Sequence, residues 1–190
     1  FPEFPYNYIH FRGKNILGHA IFSKYPLINT YSFDFEDSYN NALSADLVKD
    51  TDTLRVYNLH LQSLSIKPRV SYLQELNNEV LRKRISTLFI KQQEQVELIV
   101  EHKNNSRYPV IISGDFNNTP FSYTYRKLSE SMNDAFVEAG NGIGTTFLFE
   151  YYPMRIDYIL ASKELQILSF STINKTFSDH YPISATIAWD

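Results

Sequence analysis

Four short stretches of this chain place polar groups where a fold alone would not ask for them. "YNLHLQS" (Tyr57–Ser63) puts Asn58, His60 and Gln62 on one side of an extended segment, because strand side chains alternate. "SGDFNNTP" (Ser113–Pro120) runs out of an apolar segment into Gly114, then presents Asp115 and Asn117 around one phenylalanine, Phe116. "RIDYIL" (Arg155–Leu160) sets Asp157 inside an apolar run, and "SDHYP" (Ser178–Pro182) sets Asp179 beside His180. A carboxylate in a buried strand costs several kcal/mol unless it is paired or coordinated. Asp157 therefore requires a partner, and His180 is the obvious candidate.

The set holds only oxygen donors and imidazoles. Oxygen donors suit Mg²⁺, Mn²⁺ or Ca²⁺, and the five histidines show no zinc spacing such as His-Glu-x-x-His. A hard cation beside a His–Asp pair suggests attack of water on a phosphoester. The cation would neutralise phosphate charge and the imidazole would move a proton. Every residue also has a plainer reading. Gly114-Asp115 is ordinary turn chemistry, His60 a satisfied core histidine, Asp179 a turn cap and Asp157 a structural ion-pair partner. The 14 tyrosines and 14 phenylalanines read as packing rather than as a platform for stacked bases. His10 and His19 read as incidental, and the Arg82–Arg84 run as a solvated face. Order and combination carry the functional reading.

The elements that must position these groups follow from periodicity. "GHAIFSKYPLI" reads as a short strand and a Lys-Tyr-Pro turn. "ALSADLV" (Ala42–Val48) and "TLRVYNLHL" (Thr53–Leu61) alternate as strands, with "KDTDT" between them as a hairpin turn. Helical spacing runs from about Ser71 to His102, predicting one long helix after an irregular start, ended by "KNNSRYP". "VIIS" (Val110–Ser113) is uniformly apolar, as a strand covered on both faces should be. A helix is expected from Ser122, a glycine-rich loop at "EAGNGIGTT", and strands at "RIDYILAS" and "ISATIAW". Interleaved strands and helices with some hairpins predict a layered α/β protein with mixed sheets.

The 190 residues, 43% hydrophobic, fit one domain over 1–190. A net charge of −3 offers no basic field, which weighs against a protein whose main task is gripping a nucleic-acid backbone. Absence of cysteine excludes disulfides and thiolate metal sites. No apolar run approaches the roughly 18–20 residues that span a bilayer. The opening "FPEFPYNYIHF" reads as the start of a fragment or processed product, which leaves signal, anchor and compartment unassigned.

The ordered set "NLHL", "SGDFNNTP", "RIDYIL" and "SDHYP" resembles the endonuclease/exonuclease/phosphatase superfamily, the DNase I-like fold, from about Gly18 to the end. The resemblance implies a four-layer sandwich, with two mixed β-sheets flanked by helices. It also implies hydrolysis of phosphoester or phosphodiester bonds with a divalent cation, Mg²⁺ or alternatively Mn²⁺. By resemblance, His60 would stabilise the scissile phosphate or protonate the leaving group, Asp115 would orient or activate water near the metal, and Asn117 would bind a phosphate oxygen. Asp179 would be a metal ligand and His180 an acid–base group whose tautomer Asp157 fixes, while Asn58 is a further substrate-binding candidate. Either Asp115 or His180 would take the proton from water.

The family's N-terminal metal-side Asn or Asp and its Gln-Glu pair have no counterpart before "GHAIFSKYPLI", and Glu3 stands in the wrong context. The expectation is therefore an N-terminally truncated domain, the C-terminal two thirds, holding metal weakly or not at all. Exposed sheet edges would favour self-association, and residues 1–15 are expected to be disordered. The substrate would be nucleic acid, a phospholipid head group, an inositol phosphate or a small phosphoester. The competing readings are a non-catalytic binding or scaffold module, an inactive fragment of the enzyme, and a carbohydrate hydrolase built on Asp115. The last would leave the His–Asp pair without a task.

Overall fold

In the computed structural model, which describes residues 1–12, 18–75, 77–175 and 177–189, a six-stranded mixed sheet forms the centre. Its strands are β3 (Leu27–Asp34), β4 (Asn41–Lys49), β5 (Asp52–His60), β6 (Val110–Asp115), β7 (Met132–Asp134) and β10 (Asp157–Ser162), in the order β3-β4-β5-β6-β10-β7. β4 and β5 make the expected antiparallel hairpin, closed by Asp50 at φ 54° and Thr51. β5 and β6 run parallel, and β10 lies antiparallel to β6.

Strand alternation divides this sheet into two faces. Tyr57, Leu59, Val110, Ile112, Tyr158 and Leu160 join one buried cluster with Val96 and Ile99 of the long helix α2 (Asn78–Asn104). The neighbours in sequence turn the other way. Leu54 and Ala161, with Val56 and Ile111, pack towards Ile167 of β11 (Gln166–Thr172) and Ile187 of β12 (Ile183–Ala188). The second layer thus holds the β11–β12 ladder and a separate ladder of β1 (Tyr6–Phe11) and β2 (Gly18–Ser23). A central mixed sheet flanked by helices and further sheets is the DNase I-like arrangement expected from the sequence.

Three details differ from expectation. The segment expected to be disordered contains β1, paired residue for residue with β2, and Phe1 packs edge-on against Phe22 at 5.0 Å. An apolar–polar strand that finds a partner edge satisfies its backbone donors, which is why Tyr6–Phe11 is ordered. Residues 13–15 of that call lie outside the described residues. The irregular start expected before the long helix is itself a short helix, α1 (Val70–Glu75), set apart from α2 because the Asn77 side chain caps α2 by accepting from the backbone of Glu79 and Val80. Asp157 opens β10 rather than sitting within it. No helix among the described residues is long and apolar enough to cross a membrane.

Candidate active site

The alternation that packs β5, β6 and β10 also sorts their polar residues. Tyr57 and Leu59 face α2, so Asn58 and His60 face the second layer; Ile112 faces α2, so Ile111, Ser113 and Asp115 face away from it. Tyr158 and Leu160 likewise leave Asp157 on the second-layer side. Register then aligns the ends. His60 stands opposite Asp115 across the parallel pair, and Asp157 stands opposite Asp115 across the antiparallel pair. Three adjacent strands finish in one row, His60–Asp115–Asp157, on one face.

Gly114 makes the row possible. Its φ is 130°, and a Cβ there would lie 2.0 Å from the Leu59 carbonyl oxygen, so only glycine lets β6 approach β5 at this point. Phe116 then turns into the core, fully buried against Tyr158 with ring centroids 4.6 Å apart. Asn117 sits at φ 51° and donates its backbone N–H to Asp115 Oδ1 at 2.7 Å. This fixes the carboxylate from below.

His180 arrives from the segment before β12. Its Nδ1 lies 2.9 Å from Asp157 Oδ2 and its Nε2 lies 4.0 Å from Asp115 Oδ2. Thr146 joins these pieces: its hydroxyl oxygen accepts from the backbone of Ile156 and Asp157, and its carbonyl accepts from the N–H of Tyr181. Nothing in the sequence marks Thr146 for this task. His19 of β2 was passed over too, yet its Nε2 is 3.3 Å from His60 Nδ1 and the rings stack 5.4 Å apart at 18°. Its neighbourhood gave the only available signal, a polar residue opening a short apolar strand.

The electrostatics of the row are uneven. Burial, reinforced by Asp157, pushes the Asp115 carboxyl up to about 7, and Asp179 adds to the pressure. The hydrogen bond to Asp157 raises His180. Burial lowers His60, with the nearby His180 acting in the same sense. The 3.8 Å separation of His60 and Asp115 is thus a contact with a neutral imidazole rather than an ion pair. Burial and the proximity of His60 hold His19 down at about 4, so it too is neutral.

Among the described residues, the carboxylate and imidazole ligand atoms that lie within 4.8 Å of one another belong to Asp115, Asp157 and His180. Asp179 is exposed at the rim and lines the same cleft of about 750 Å³ as His60, Asp115, Asn117, Asp157 and His180. Asn117 commits one amide hydrogen to Leu61 O at 2.9 Å. Asn58 does not line the cleft; its amide donates to the Ala20 carbonyl at 3.1 Å and ties β5 to β2. Asp115 and Asp157, side by side, with Asp179 lining the same cleft, offer the oxygen donors that a hard divalent cation fits.

Residues 2–180 match the model of the Endonuclease/Exonuclease/phosphatase family. A family protein of that description from Bacteroides thetaiotaomicron is similar at a TM-score of 0.72 and 18% identity, over 97% of this chain and 76% of that one. A humanized TDP2 of D. rerio is similar at a TM-score of 0.69 and 14% identity, over 99% and 78%. A mannosyl-6-phosphatase of B. thetaiotaomicron VPI-5482 is similar at 0.63 and 17%, over 97% and 78%. Comparison with curated proteins found no match.

Proposed function

Because the chain belongs to the Endonuclease/Exonuclease/phosphatase family, we propose that it hydrolyses phosphoester or phosphodiester bonds with a divalent cation, Mg²⁺ or Mn²⁺. The observation that carries this reading is the row His60–Asp115–Asp157 at three strand ends, closed by His180. Water adds to phosphorus, the bond to the leaving oxygen breaks, and that oxygen takes up a proton.

Asp115 and His180 face the nucleophile and share the work of accepting its proton. Asp157 accepts from Nδ1 of His180, which leaves Nε2 as the working nitrogen. His60, held neutral, donates to a phosphate oxygen or to the leaving group. A donor at His19 Nε2 would set that tautomer by occupying Nδ1 of His60. Asn117 has a second amide hydrogen to offer a phosphate oxygen. A hard cation held by Asp115 with Asp179 would supply charge neutralisation to the phosphate. Dipoles and donors fixed in advance at such a site act on charge that develops in the transition state.

The test is hydrolysis of bis-p-nitrophenyl phosphate in Mg²⁺, in Mn²⁺ and in EDTA, by the protein and by His180→Ala. Turnover is expected in either metal, none in EDTA, and a loss of at least about a hundredfold in the variant. Undiminished turnover in EDTA, or by a folded His180→Ala, would sink the assignment.

A further inference from the structure

The cleft that contains the polar row is apolar over much of its remaining lining. Leu64 and Ile66 come from the loop after β5, and Phe147, Phe149 and Met154 from the hairpin of β8 (Phe147–Phe149) and β9 (Tyr152–Met154). All five are half-buried, so each keeps apolar surface exposed in a concave site. The two walls are built, not adventitious. The Val70 N–H donates to Glu150 Oε2 at 3.0 Å, joining the start of α1 to the hairpin, and Arg84 Nη2 donates to Ser65 O at 2.7 Å, joining the loop to α2. Phe147 also carries the wall to the polar row, with its ring 5.0 Å from that of His180 and a backbone bridge to the same residue.

The charge of the lining points the same way. None of the described residues lining the cleft is Lys or Arg, whereas three of them are aspartates. Of the cations nearest in sequence, Arg155 is buried against Asp134, Arg84 donates to Ser65, Lys67 lies over the Tyr72 ring at 5.6 Å, and Arg69 and Lys175 are exposed to solvent. A nucleic-acid strand brings a negative charge with every nucleotide, and its binders meet those charges with Lys and Arg. Here phosphates flanking the scissile one would meet apolar side chains and Asp179. A volume of about 750 Å³ lies in the range of small-ligand sites rather than of strand-tracking grooves.

We propose that the cleft selects a phosphoester carrying one apolar substituent, an alkyl chain or aryl ring, over a polyanionic nucleic-acid strand. The proposal rests on the phosphoesterase reading above, which supplies the phosphate end. The polar row takes the phosphoryl group, and Leu64, Ile66, Phe147, Phe149 and Met154 take the substituent. Each methylene moved out of water strengthens binding by at most about fourfold.

Two series test this, each below its micelle-forming concentration with Mg²⁺ present. Methyl-, butyl-, octyl- and phenylphosphonate report binding by calorimetry without turnover. The matching p-nitrophenyl phosphodiesters report kcat/KM, beside p-nitrophenyl thymidine 5′-phosphate. Expected are gains of at least about tenfold from methyl to butyl in both series, a weaker thymidine ester, and no inhibition by an oligothymidylate. A steeper gain for octyl than for phenyl identifies a lipid-like substituent, and the reverse an aryl one. Leu64→Ser with Ile66→Ser should flatten the phosphonate series. A flat or falling phosphonate series in the unaltered protein, or preference for the thymidine ester, overturns the proposal while the phosphoesterase reading survives. Rising phosphonate affinity without turnover of any ester upholds the cleft's selectivity and overturns the phosphoesterase reading instead.

Discussion

Two groups of charges sit in the central sheet, and they are arranged on opposite principles. In mid-sheet, Asp46 of β4 is fully buried, but Arg55 directly across on β5 grips both its oxygens at 2.7 and 3.0 Å, and Asn29 adds a third bond at 2.9 Å. Those hydrogen bonds outweigh burial and hold the Asp46 carboxyl below its usual range. Near the other edge, Arg155 meets Asp134 at 2.6 Å and lies over three aromatic rings. At the strand ends, Asp115 and Asp157 lie side by side with imidazoles and a single backbone donor, the Asn117 N–H, around them and no Lys or Arg partner, and Asp115 is driven upward to about 7. Mid-sheet charges are satisfied by opposite charges; the strand-end carboxylates are met only by imidazoles and a backbone donor. A structural carboxylate is recognised by its partner, a functional one by the lack of a sufficient partner.

The largest expected effect separates the two groups by activity. Asp115→Asn should lower kcat for bis-p-nitrophenyl phosphate by about a thousandfold and leave the thermal midpoint unchanged or higher, since it removes a like charge from beside Asp157. A fall of many degrees would mean that Asp115 is structural, and the contrast would collapse.

The mirror experiment is Asp46→Ala, which leaves Arg55 without its carboxylate in a mostly buried position. It should cost about 3 kcal/mol in urea unfolding, with the activity of the folded fraction kept. The pH dependence has a definite sign. A depressed folded-state pKa contributes stability above the unfolded value, near 4, that is lost as pH falls through the folded one. The difference between the protein and Asp46→Asn should therefore be full at pH 6 and shrink below pH 4. A difference that grew on acidification would reverse the assignment.

A smaller effect is expected at His19, which belongs to the strand-end group only through His60. His19→Ala should reduce kcat by about tenfold, or about 1.4 kcal/mol, with KM little changed. His19→Gln, whose longer amide can still donate to His60 Nδ1, should recover most of it. Equal losses in the two variants would mean that His19 only fills space.

The sequence by itself determined the candidate residues and the faces they take. His60, Asp115, Asp157, Asp179 and His180 stood out as candidates by residue type and order, and a period of two says that His60 points away from Tyr57 and Leu59 whatever the fold. It also marked Gly114 as special and Phe116 as core, because a glycine between an apolar strand and an aspartate, with an aromatic next, has few other uses. Alternation could not say which strand lies beside which. Only the tertiary structure, through the parallel register of β5 with β6 and the antiparallel register of β6 with β10, brought His60, Asp115 and Asp157 into one row. Only long-range packing brought His19 to His60 across 41 residues, turned Asn58 to Ala20 across 38, and made Thr146 the joint beneath Asp157 and His180. Local steric rules act over a few residues and are written in the chain; register and packing partners depend on the whole folded sheet, and they settle there.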